Sequence, residues 1–502
     1  MPKTAEWTDV PRTQRRRASA VPRVAWLIGP ALVAGVAYLD PGNVASNMTA
    51  GARYGYLLVW VVVLGNVMAW LIQYLSAKLG IVTGKSLPET LGDRIRSTWG
   101  RRAYWLQAEL VAMATDIAEV IGGAVALNLL FGIPLLWGGA ITGAVSIALL
   151  LIQSRRGPRP FEFVIIGLLA IIALGFSFGV FVAPPDGAGV VAGLVPRFEG
   201  TDSVLLAASI LGATIMPHAI YAHSALARDR FAPRATKVPV LPGDLPGLGR
   251  TASVWGARRT PQMDGTRPKP ATPEPDTATD TVTVATGTPT GAAAPVSYGA
   301  ALSDRAAADP TLAELRGIPT SRLLRATKWD VSIAMLIAGT VNLCILLLAA
   351  ANLAGVPGTD SLEGAYDALY AGLGPLVATL FAVGLLASGL ASTSVGAYAG
   401  AEIMHGLLHI RVPLLARRLV TLIPALVILA IGFDPTVALV LSQVVLSFGI
   451  PFALVPLVAL TANREILGGF RNRVWTTAAG VAASVFLIAL NGLLLFLVLS
   501  GA

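Results

Sequence analysis

Two short stretches of the sequence combine residues that can bind a cation with residues that interrupt a helix. In the first, Asp40 and Asn43 flank a Pro-Gly pair within a long apolar run. In the second, Met216 precedes a proline in another apolar run. Proline removes a backbone donor and glycine frees the backbone, so each run is predicted to be a helix that unwinds in its middle. Carbonyl groups freed there would face a cavity rather than lipid.

The residues at these breaks are predicted to bind one cation. Asp40 offers a carboxylate oxygen, Asn43 an amide oxygen and Met216 a thioether sulfur. The backbone carbonyls of Ala37 and Ala213 would complete the shell. Mg²⁺ and Ca²⁺ take oxygen ligands, whereas a thioether favours softer transition metals such as Mn²⁺ or Fe²⁺. The simpler alternatives are a kinked helix whose Asp40 bridges to a neighbouring helix, and a Met216 that only fills the core.

Gln443 is an isolated amide in a third apolar run. It is either an additional oxygen ligand or a hydrogen-bonding contact between two helices.

A second set of residues could carry protons. Asp116 and Glu119 are three positions apart on one predicted helix, so their carboxyl groups share a face near the centre of the span. Ionisable groups inside a membrane span are typical of proton relays. Arg417 and Arg418 begin a later span and are the predicted cationic partners. The alternative is a static cluster of buried salt bridges.

Two histidines follow the second break. His218 lies next to it and is predicted to be a protonatable partner of the cation site. His223 is five residues further on, which turns it ~140° away at 3.6 residues per turn. The two cannot bind one ion together on a regular helix. We include both in the candidate proton pathway, with ordinary buried histidines as the alternative.

Membrane helices must hold these residues in place. Of the 502 residues, 55% are apolar and 13% are charged, against about 25% charged in a typical soluble domain. This excludes a soluble globular enzyme, a coiled coil and a mostly disordered chain. At about 20 apolar residues per span, the prediction is an all-α polytopic membrane protein. Its eleven predicted spans are 24–50, 57–78, 103–131, 136–152, 161–183, 203–227, 330–353, 374–405, 416–432, 436–461 and 473–500.

Positive charge sets the expected orientation. Lys and Arg are concentrated before span 1 and after spans 2, 4, 8 and 10, all on one side of the membrane. The rule that such loops are cytoplasmic places the amino terminus inside and the carboxyl terminus outside. Because the net charge of +9 lies largely in these loops, it does not indicate nucleic-acid binding. The single cysteine, Cys344, excludes an intramolecular disulfide and a cysteine-rich metal site.

The chain divides into four predicted regions. A polar segment rich in Pro, Thr and Ala cannot bury enough apolar surface to fold, so it is predicted to be a disordered cytoplasmic loop and a tolerated insertion. The regions are a basic cytoplasmic tail at 1–23, spans 1–6 at 24–227, the disordered loop at 228–328 and spans 7–11 at 329–502.

The spacing of the two breaks predicts an internal repeat. They lie in the first and sixth spans, so the repeat is five spans long, and because five is odd the second half must lie inverted relative to the first. Two interrupted helices at matching places in inverted halves indicate a transporter whose binding site lies at the membrane midplane.

The motifs at 40–43, 73–80, 112–119 and 216–218 together resemble the Nramp family of proton-coupled divalent metal transporters. The resemblance covers the chain except the tail and the 228–328 loop. It implies a LeuT-type fold in which spans 1–5 and 6–10 are inverted repeats. It also implies roles for the residues above. The metal ligands would be Asp40, Asn43, Met216, Ala37 and Ala213, with Gln443 contributing in some conformations. The proton pathway would use His218, Asp116, Glu119, Arg417 and Arg418.

The implied function is import of Mn²⁺ or Fe²⁺ with protons across the cytoplasmic membrane by alternating access, with Cd²⁺ also accepted. It requires metal, protons and a lipid bilayer, and we expect no enzymatic activity, resident cofactor, nucleic acid or obligatory protein partner. Three residues depart from the family pattern: Ala219 replaces the usual Asn, and Leu390 and Ala391 replace the Gln-Ser usual in bacterial members. Met216 is absent from the magnesium-transporting branch, so it argues against that branch.

Two other functions remain possible at this stage. A sodium-coupled transporter of organic solutes could share the fold. An intramembrane metallohydrolase would need a pair of histidines like that of HExxH or two facing aspartates, and the sequence has neither arrangement.

We expect deletion of 235–315 to leave metal uptake unchanged, because this polar segment contributes no residue to the predicted spans. Uptake of Mn²⁺ into vesicles that contain equal amounts of the inserted full-length and deleted chains would test this. Loss of uptake in the correctly inserted deletion variant would contradict the assignment of this segment as an insertion.

Overall fold

The computed structural model describes residues 30–156, 158–231, 318–410 and 412–500. These residues form helices, and none of them lies in a β-strand. The predicted tail at 1–23 and most of the predicted loop at 228–328 lie outside the described residues.

The helices are numbered here in chain order. They are α1 Pro30–Ala37, α2 Pro41–Tyr54, α3 Val59–Thr83, α4 Leu87–Arg94, α5 Thr98–Phe131, α6 Leu135–Arg156, α7 Pro158–Val182, α8 Gly187–Ala192, α9 Gly200–Ile215, α10 Pro217–Phe231, α11 Thr320–Asn352, α12 Leu362–Leu373, α13 Pro375–Leu408, α14 Leu414–Ala430, α15 Pro435–Ala462, α16 Arg464–Leu467 and α17 Val474–Ser500.

The described parts of the predicted membrane spans fall on helices. Within the described residues, 7 helical stretches are long and apolar enough to cross a membrane, and α9 with α10 forms one of them. The others are α3, α5, α11, α13, α15 and α17. The predicted first span corresponds to α1 and α2, and the predicted sixth span to α9 and α10. Both predicted interruptions are present, because each of these spans consists of two helices that meet at a proline.

The boundaries of the predicted 228–328 loop are wrong at both ends. α10 continues to Phe231, and α11 already begins at Thr320. Lys and Arg in the first turns of α11 lower the local hydropathy but do not oppose helix formation. Leu323 and Leu324 in these turns are buried against Ala77 of α3, so tertiary packing extends the helix beyond its apolar run.

The packing of the helices repeats when the two halves are exchanged. α2 packs on α11, and α10 packs on α3 in the equivalent way. α7 packs on α13, as α15 packs on α5. Exchanging the halves replaces α5 by α13 and α3 by α11, so the contact of α5 with α13 and that of α3 with α11 are each unchanged by the exchange. These contacts of the first half therefore recur between the equivalent helices of the second half.

Glycines allow the broken helices to approach their neighbours closely. A Cβ atom at Gly51 of α2 would lie 2.5 Å from the carbonyl oxygen of Leu346 in α11. A Cβ atom at Gly80 of α3 would lie 2.1 Å from the carbonyl oxygen of Ser224 in α10. Both equivalent contacts therefore bring one helix backbone directly against another.

The short helix α4 is linked to α10 and, through Arg228, to α13. Ser86 caps it, and the Leu87 N–H donates to Ser224 Oγ of α10 at 2.9 Å. Glu89 accepts from Arg228 of α10 at 2.5 Å, and the same guanidinium lies 3.2 Å from Glu402 of α13. Burial raises the pKa of Glu89, but Arg228 and the hydrogen bonds from Ser86 outweigh it, so the pKa lies below its ordinary value. The contact is therefore charged at neutral pH.

We expect Gly51→Ala to lower the free energy of unfolding by about 1–3 kcal/mol, because the added methyl group meets the backbone of α11, which cannot move as a side chain can. Thermal unfolding in detergent would measure the change. The matched control is Gly167→Ala in α7, where an added Cβ meets nothing within 4 Å. Equal melting temperatures for the two variants would contradict the close approach of α2 and α11.

Candidate metal centre

The first break places a carboxylate at the start of a buried helix. α1 ends at Ala37 and α2 begins at Pro41. Asp40 is the N-cap of α2, and its Oδ1 accepts from the Asn43 N–H at 2.9 Å. A carboxylate at a helix N-terminus satisfies free backbone donors and interacts favourably with the helix dipole. These contacts reduce the cost of burying Asp40.

The second break lies at Met216. α9 ends at Ile215 and α10 begins at Pro217, and Met216 between them has φ 23° and ψ 103°. A positive φ is unfavourable for a residue with a Cβ, and such strain is concentrated at functional sites. Met216 is also fully buried, so the break is enclosed by protein.

The two prolines leave two carbonyl groups without their helical donors. In an α-helix a carbonyl accepts from the N–H four residues on. For Ala37 and Ala213 that residue is Pro41 or Pro217, neither of which has an N–H. The Ala213 carbonyl instead accepts from Asn43 Nδ2 at 2.8 Å. The two carbonyls proposed as ligands are therefore those released by the prolines.

Hydrogen bonds join the two breaks to a third helix. Asn43 Nδ2 donates to Asp40 Oδ1 at 3.0 Å as well as to Ala213, so it connects α2 to α9. Gln443 Nε2 of α15 donates to Asp40 Oδ2 at 3.2 Å. The side chains of Asp40, Asn43 and Gln443 are completely buried. Asp40 thus contacts a neighbouring helix, as expected for a kinked helix with a bridging Asp40. The helix that carries Asp40 is nevertheless broken, not only kinked.

The centre contains oxygen atoms with no hydrogen-bond donor. Asn43 Oδ1 and Gln443 Oε1 are buried and lack a partner among the described residues. A buried acceptor without a donor is unfavourable by about 1–3 kcal/mol. A bound cation would supply the missing interaction. Nowhere in the described part of the chain do three His, Cys, Asp or Glu side chains meet to hold a metal, so a site here would depend on one carboxylate and neutral donors.

Two glycines without a Cβ leave the space that Gln443 occupies beside the centre. A Cβ at Gly42 would lie 1.8 Å from Gln443 Nε2, and a Cβ at Gly212 would lie 1.9 Å from the Gln443 carbonyl oxygen. Gly42 lies within α2, so it provides space here rather than an unusual backbone angle. The sequence indicates Gly42 and Gly212 only as glycines at the two helix breaks, because a contact with a distant helix has no local signal.

The predicted acidic and basic residues form a buried cluster beside the centre. Arg418 lies 2.7 Å from Asp116 and 3.1 Å from Glu119. Arg417 lies 3.2 Å from Asp116 and 3.0 Å from Glu109. The ion pairs predicted between these spans are therefore present, with Glu109 as a third carboxylate that the candidate pathway did not include.

The cluster has polar and small neighbours that the sequence did not reveal. Arg418 donates to Ser146 of α6 at 2.9 Å and to Thr393 of α13 at 3.3 Å. The guanidinium of Arg417 lies against Gly400 of α13, where a Cβ would be only 2.0 Å from its Cζ. Thr393 and Gly400 are seven residues apart, so they share a helix face. This spacing is the feature of the sequence that could have related the two residues to one cluster.

The two histidines contact different helices. His218 Nδ1 lies 3.2 Å from Thr115 Oγ1, next to Asp116 on α5. His223 Nδ1 lies 2.7 Å from Gln73 Oε1 on α3. They diverge as their spacing predicted. His218 therefore lies next to the charged cluster, whereas His223 lies against Gln73 of α3, away from that cluster.

The chain resembles known membrane transporters over nearly its whole length. A family model described as "Natural resistance-associated macrophage protein-like" matches residues 31–239 and 311–497. The divalent metal cation transporter MntH of Mycobacterium tuberculosis strain H37Rv is 51% identical over 476 residues, 95% of this chain and 92% of that protein.

Solved structures show the same architecture. A variant of the Eremococcus coleocola manganese transporter is 29% identical, with a TM-score of 0.69 over 93% of this chain and 85% of that chain. MhsT in complex with L-phenylalanine has a TM-score of 0.53 at 12% identity, over 93% of this chain and 97% of that chain, which shows the fold alone.

The paired helix breaks and the architecture are those of the LeuT-type fold, and the match to divalent metal cation transporters over nearly the whole chain makes the protein a membrane transporter. The metallohydrolase alternative is therefore excluded. Within that class, the chain belongs to the Nramp family.

We expect Arg418→Met to lower the free energy of unfolding by about 3–5 kcal/mol, because it leaves Asp116 and Glu119 buried without their shared cation. Adding Asp116→Asn and Glu119→Gln to the same chain should recover part of the loss, since the charges are then absent. Thermal unfolding in detergent would measure both effects.

The control for this series is Arg53→Met, which removes a half-exposed ion pair with Asp360. Exposed pairs contribute about 0–1 kcal/mol. If Arg418→Met costs no more than Arg53→Met, the cluster does not depend on charge compensation.

Proposed function

We propose that the chain imports divalent transition metal ions together with protons, by alternating access, across the cytoplasmic membrane. Mn²⁺ and Fe²⁺ are the proposed substrates, and Cd²⁺ is accepted as well. The observation that carries the proposal is the fully buried Asp40 at the junction of two broken helices, beside two amide oxygens that lack donors. The names of the relatives support it, because one is a divalent metal cation transporter and another a manganese transporter.

The metal would be held by donors from both halves of the repeat. Asp40, Asn43 and the Ala37 carbonyl come from the first broken helix, and Met216 and the Ala213 carbonyl from the second. Gln443 contacts Asp40 and can add its oxygen when its amide rotates. To bind the metal, the Asn43 amide gives up one or both of its present hydrogen bonds. A single carboxylate with neutral donors binds a dication loosely enough to release it again.

Met216 would select the metal. Its thioether is a weak ligand for Mg²⁺ and Ca²⁺, which prefer oxygen, but an acceptable one for softer transition metals. No resident cofactor is required, because the ion itself is the cargo.

The charged cluster would carry the protons. It contains three carboxylates, Glu109, Asp116 and Glu119, but only two guanidinium groups, Arg417 and Arg418. With all five ionised the cluster has one excess negative charge, so one proton can bind without leaving a buried cation uncompensated. Thr115 and His218 connect the cluster to the second break. This route leads from the metal site towards the arginines.

Alternating access would move the half-helices relative to the rest of the bundle. The Ala31 N–H near the start of α1 donates to Asp330 of α11 at 2.9 Å. Arg228 near the end of α10 holds Glu89 and Glu402. These contacts fasten the half-helices at the proposed cytoplasmic side and would open when the site faces inward. The proposed orientation, with the amino terminus in the cytoplasm, lets a negative-inside potential contribute about 2.3 kcal/mol per charge per 100 mV.

We expect Asp40→Ala to abolish Mn²⁺ uptake into proteoliposomes, because it removes the only carboxylate among the proposed ligands. The control is Asp360→Ala, an exposed carboxylate outside the breaks. A folded Asp40→Ala protein that still transports Mn²⁺ would exclude Asp40 as a ligand. If uptake is absent from the wild type while an amino acid enters with Na⁺, the organic-solute alternative is correct.

We expect Met216→Ala to reduce the preference for Mn²⁺ over Ca²⁺ about tenfold, equivalent to ~1.4 kcal/mol. The smaller, sulfur-free side chain no longer favours the softer ion. Competition of Ca²⁺ with Mn²⁺ uptake would measure it, with Met48→Ala in α2, on the other broken span, as a buried methionine control. An unchanged preference would show that Met216 only fills space.

We expect Asp116→Asn to reduce metal-stimulated proton entry at least tenfold while Mn²⁺ binding changes less than threefold. The substitution keeps the shape of the side chain but removes its titration. A pH-sensitive dye inside the vesicles and Mn²⁺ titration of the purified protein provide the two measurements. Proton entry at the wild-type rate would place the relay elsewhere.

A further inference from the structure

A groove of about 480 Å³ lies where the start of α5 meets the end of α13. Its size is within the range of roughly 300–1,000 Å³ that is typical of small-molecule sites. Its walls are mainly apolar, and Leu106, Leu407 and Ile410 contribute to them. Both helices cross the bundle, so the groove lies at their shared end, at the boundary between the hydrocarbon layer and water.

One edge of the groove is positively charged. Arg101 and Arg102 line it, and neither forms an ion pair with any residue that the structure describes. The Arg102 guanidinium lies 5.5 Å from the ring centre of Trp99, which also lines the groove. Trp99 is 78% exposed and Leu106 is 52% exposed. Exposed tryptophan beside arginine is typical of the membrane–water interface.

We propose that this groove binds one anionic phospholipid of the surrounding bilayer. The phosphate contacts Arg101 and Arg102, the glycerol lies beside Trp99, and an acyl chain lies along Leu106, Leu407 and Ile410. A lipid satisfies both features at once, because its headgroup is negative and its chain is apolar. Basic clusters at the ends of membrane helices attract anionic lipid by this combination.

A lipid fits the groove better than a segment of the chain itself. The residues before Pro30 carry Arg15, Arg16 and Arg17, so their positive charge would oppose Arg101 and Arg102. The bilayer supplies lipid to this position at high local concentration, since α5 and α13 both cross it. The site is separate from the metal centre and does not depend on the proposed transport activity.

Native mass spectrometry of the purified full-length chain in neutral detergent would test the proposal. We expect phosphatidylglycerol to bind with higher affinity than phosphatidylcholine of the same chain length. The double variant Arg101→Gln and Arg102→Gln should weaken phosphatidylglycerol binding on the order of thirtyfold, because each arginine near a membrane surface contributes about 1 kcal/mol. The matched control is Arg94→Gln with Arg96→Gln, which changes two exposed arginines that do not line the groove.

A charge-neutral variant and a location measurement complete the test. Ala103→Trp fills the groove from its lining without changing charge, so it should also weaken phosphatidylglycerol binding. Brominated phosphatidylglycerol should quench wild-type tryptophan fluorescence more than that of Trp99→Phe. Equal binding of the two lipids, or wild-type affinity in the arginine double variant, would overturn the proposal. Displacement of the lipid by inorganic phosphate alone, or by a peptide of residues 1–29, would also overturn it.

Discussion

The structure depends on the missing hydrogen bonds at Pro41 and Pro217. Each proline interrupts a buried helix and releases one carbonyl, of Ala37 or Ala213, from its helical partner. Unsatisfied backbone groups are very unfavourable in a membrane, so the breaks persist only where other polar groups surround them. Asn43 serves this purpose, since its amide bonds both Asp40 and the Ala213 carbonyl. The carboxylate of Asp40, the amide of Asn43 and the Ala213 carbonyl thus stabilise one another.

Much of the fold could be predicted from the sequence because membrane helices have a strong local signal. A long apolar run can only be a helix in lipid, and a Pro-Gly pair beside Asp40 identifies where that helix is broken. The inversion of the repeat follows from its length, because five spans is an odd number. The start of α11 at Thr320 could not be predicted in this way, because Leu323 and Leu324 are stabilised by packing on α3 and α10 beyond the apolar run.

The candidate site was predictable only where its chemistry is unusual. Charges are rare in apolar spans, so a charged residue there is a candidate for function. This identifies Asp40, Asp116, Glu119 and Arg418. Ser146 and Thr393 look like ordinary small polar residues, and Gly212 and Gly400 like ordinary glycines. Their importance arises from contacts between helices that are distant in sequence, such as the approach of the Arg417 guanidinium to Gly400. A single sequence carries no signal for such contacts. The spacing of His218 and His223 predicts that they diverge, but it does not identify Thr115 and Gln73 as the residues they contact.

Because the breaks hold a single carboxylate, the membrane potential would act in opposite directions on the empty and the occupied site of the proposed transport cycle. With Asp40 ionised, the empty site carries one negative charge, and a site filled by a dication carries one positive charge. A field that draws the filled form inward therefore pushes the empty form back outward. In the proposed cycle, the potential would therefore assist both the inward step of the filled site and the return of the empty site. A second carboxylate among the ligands would make the filled site neutral and remove this assistance from the inward step.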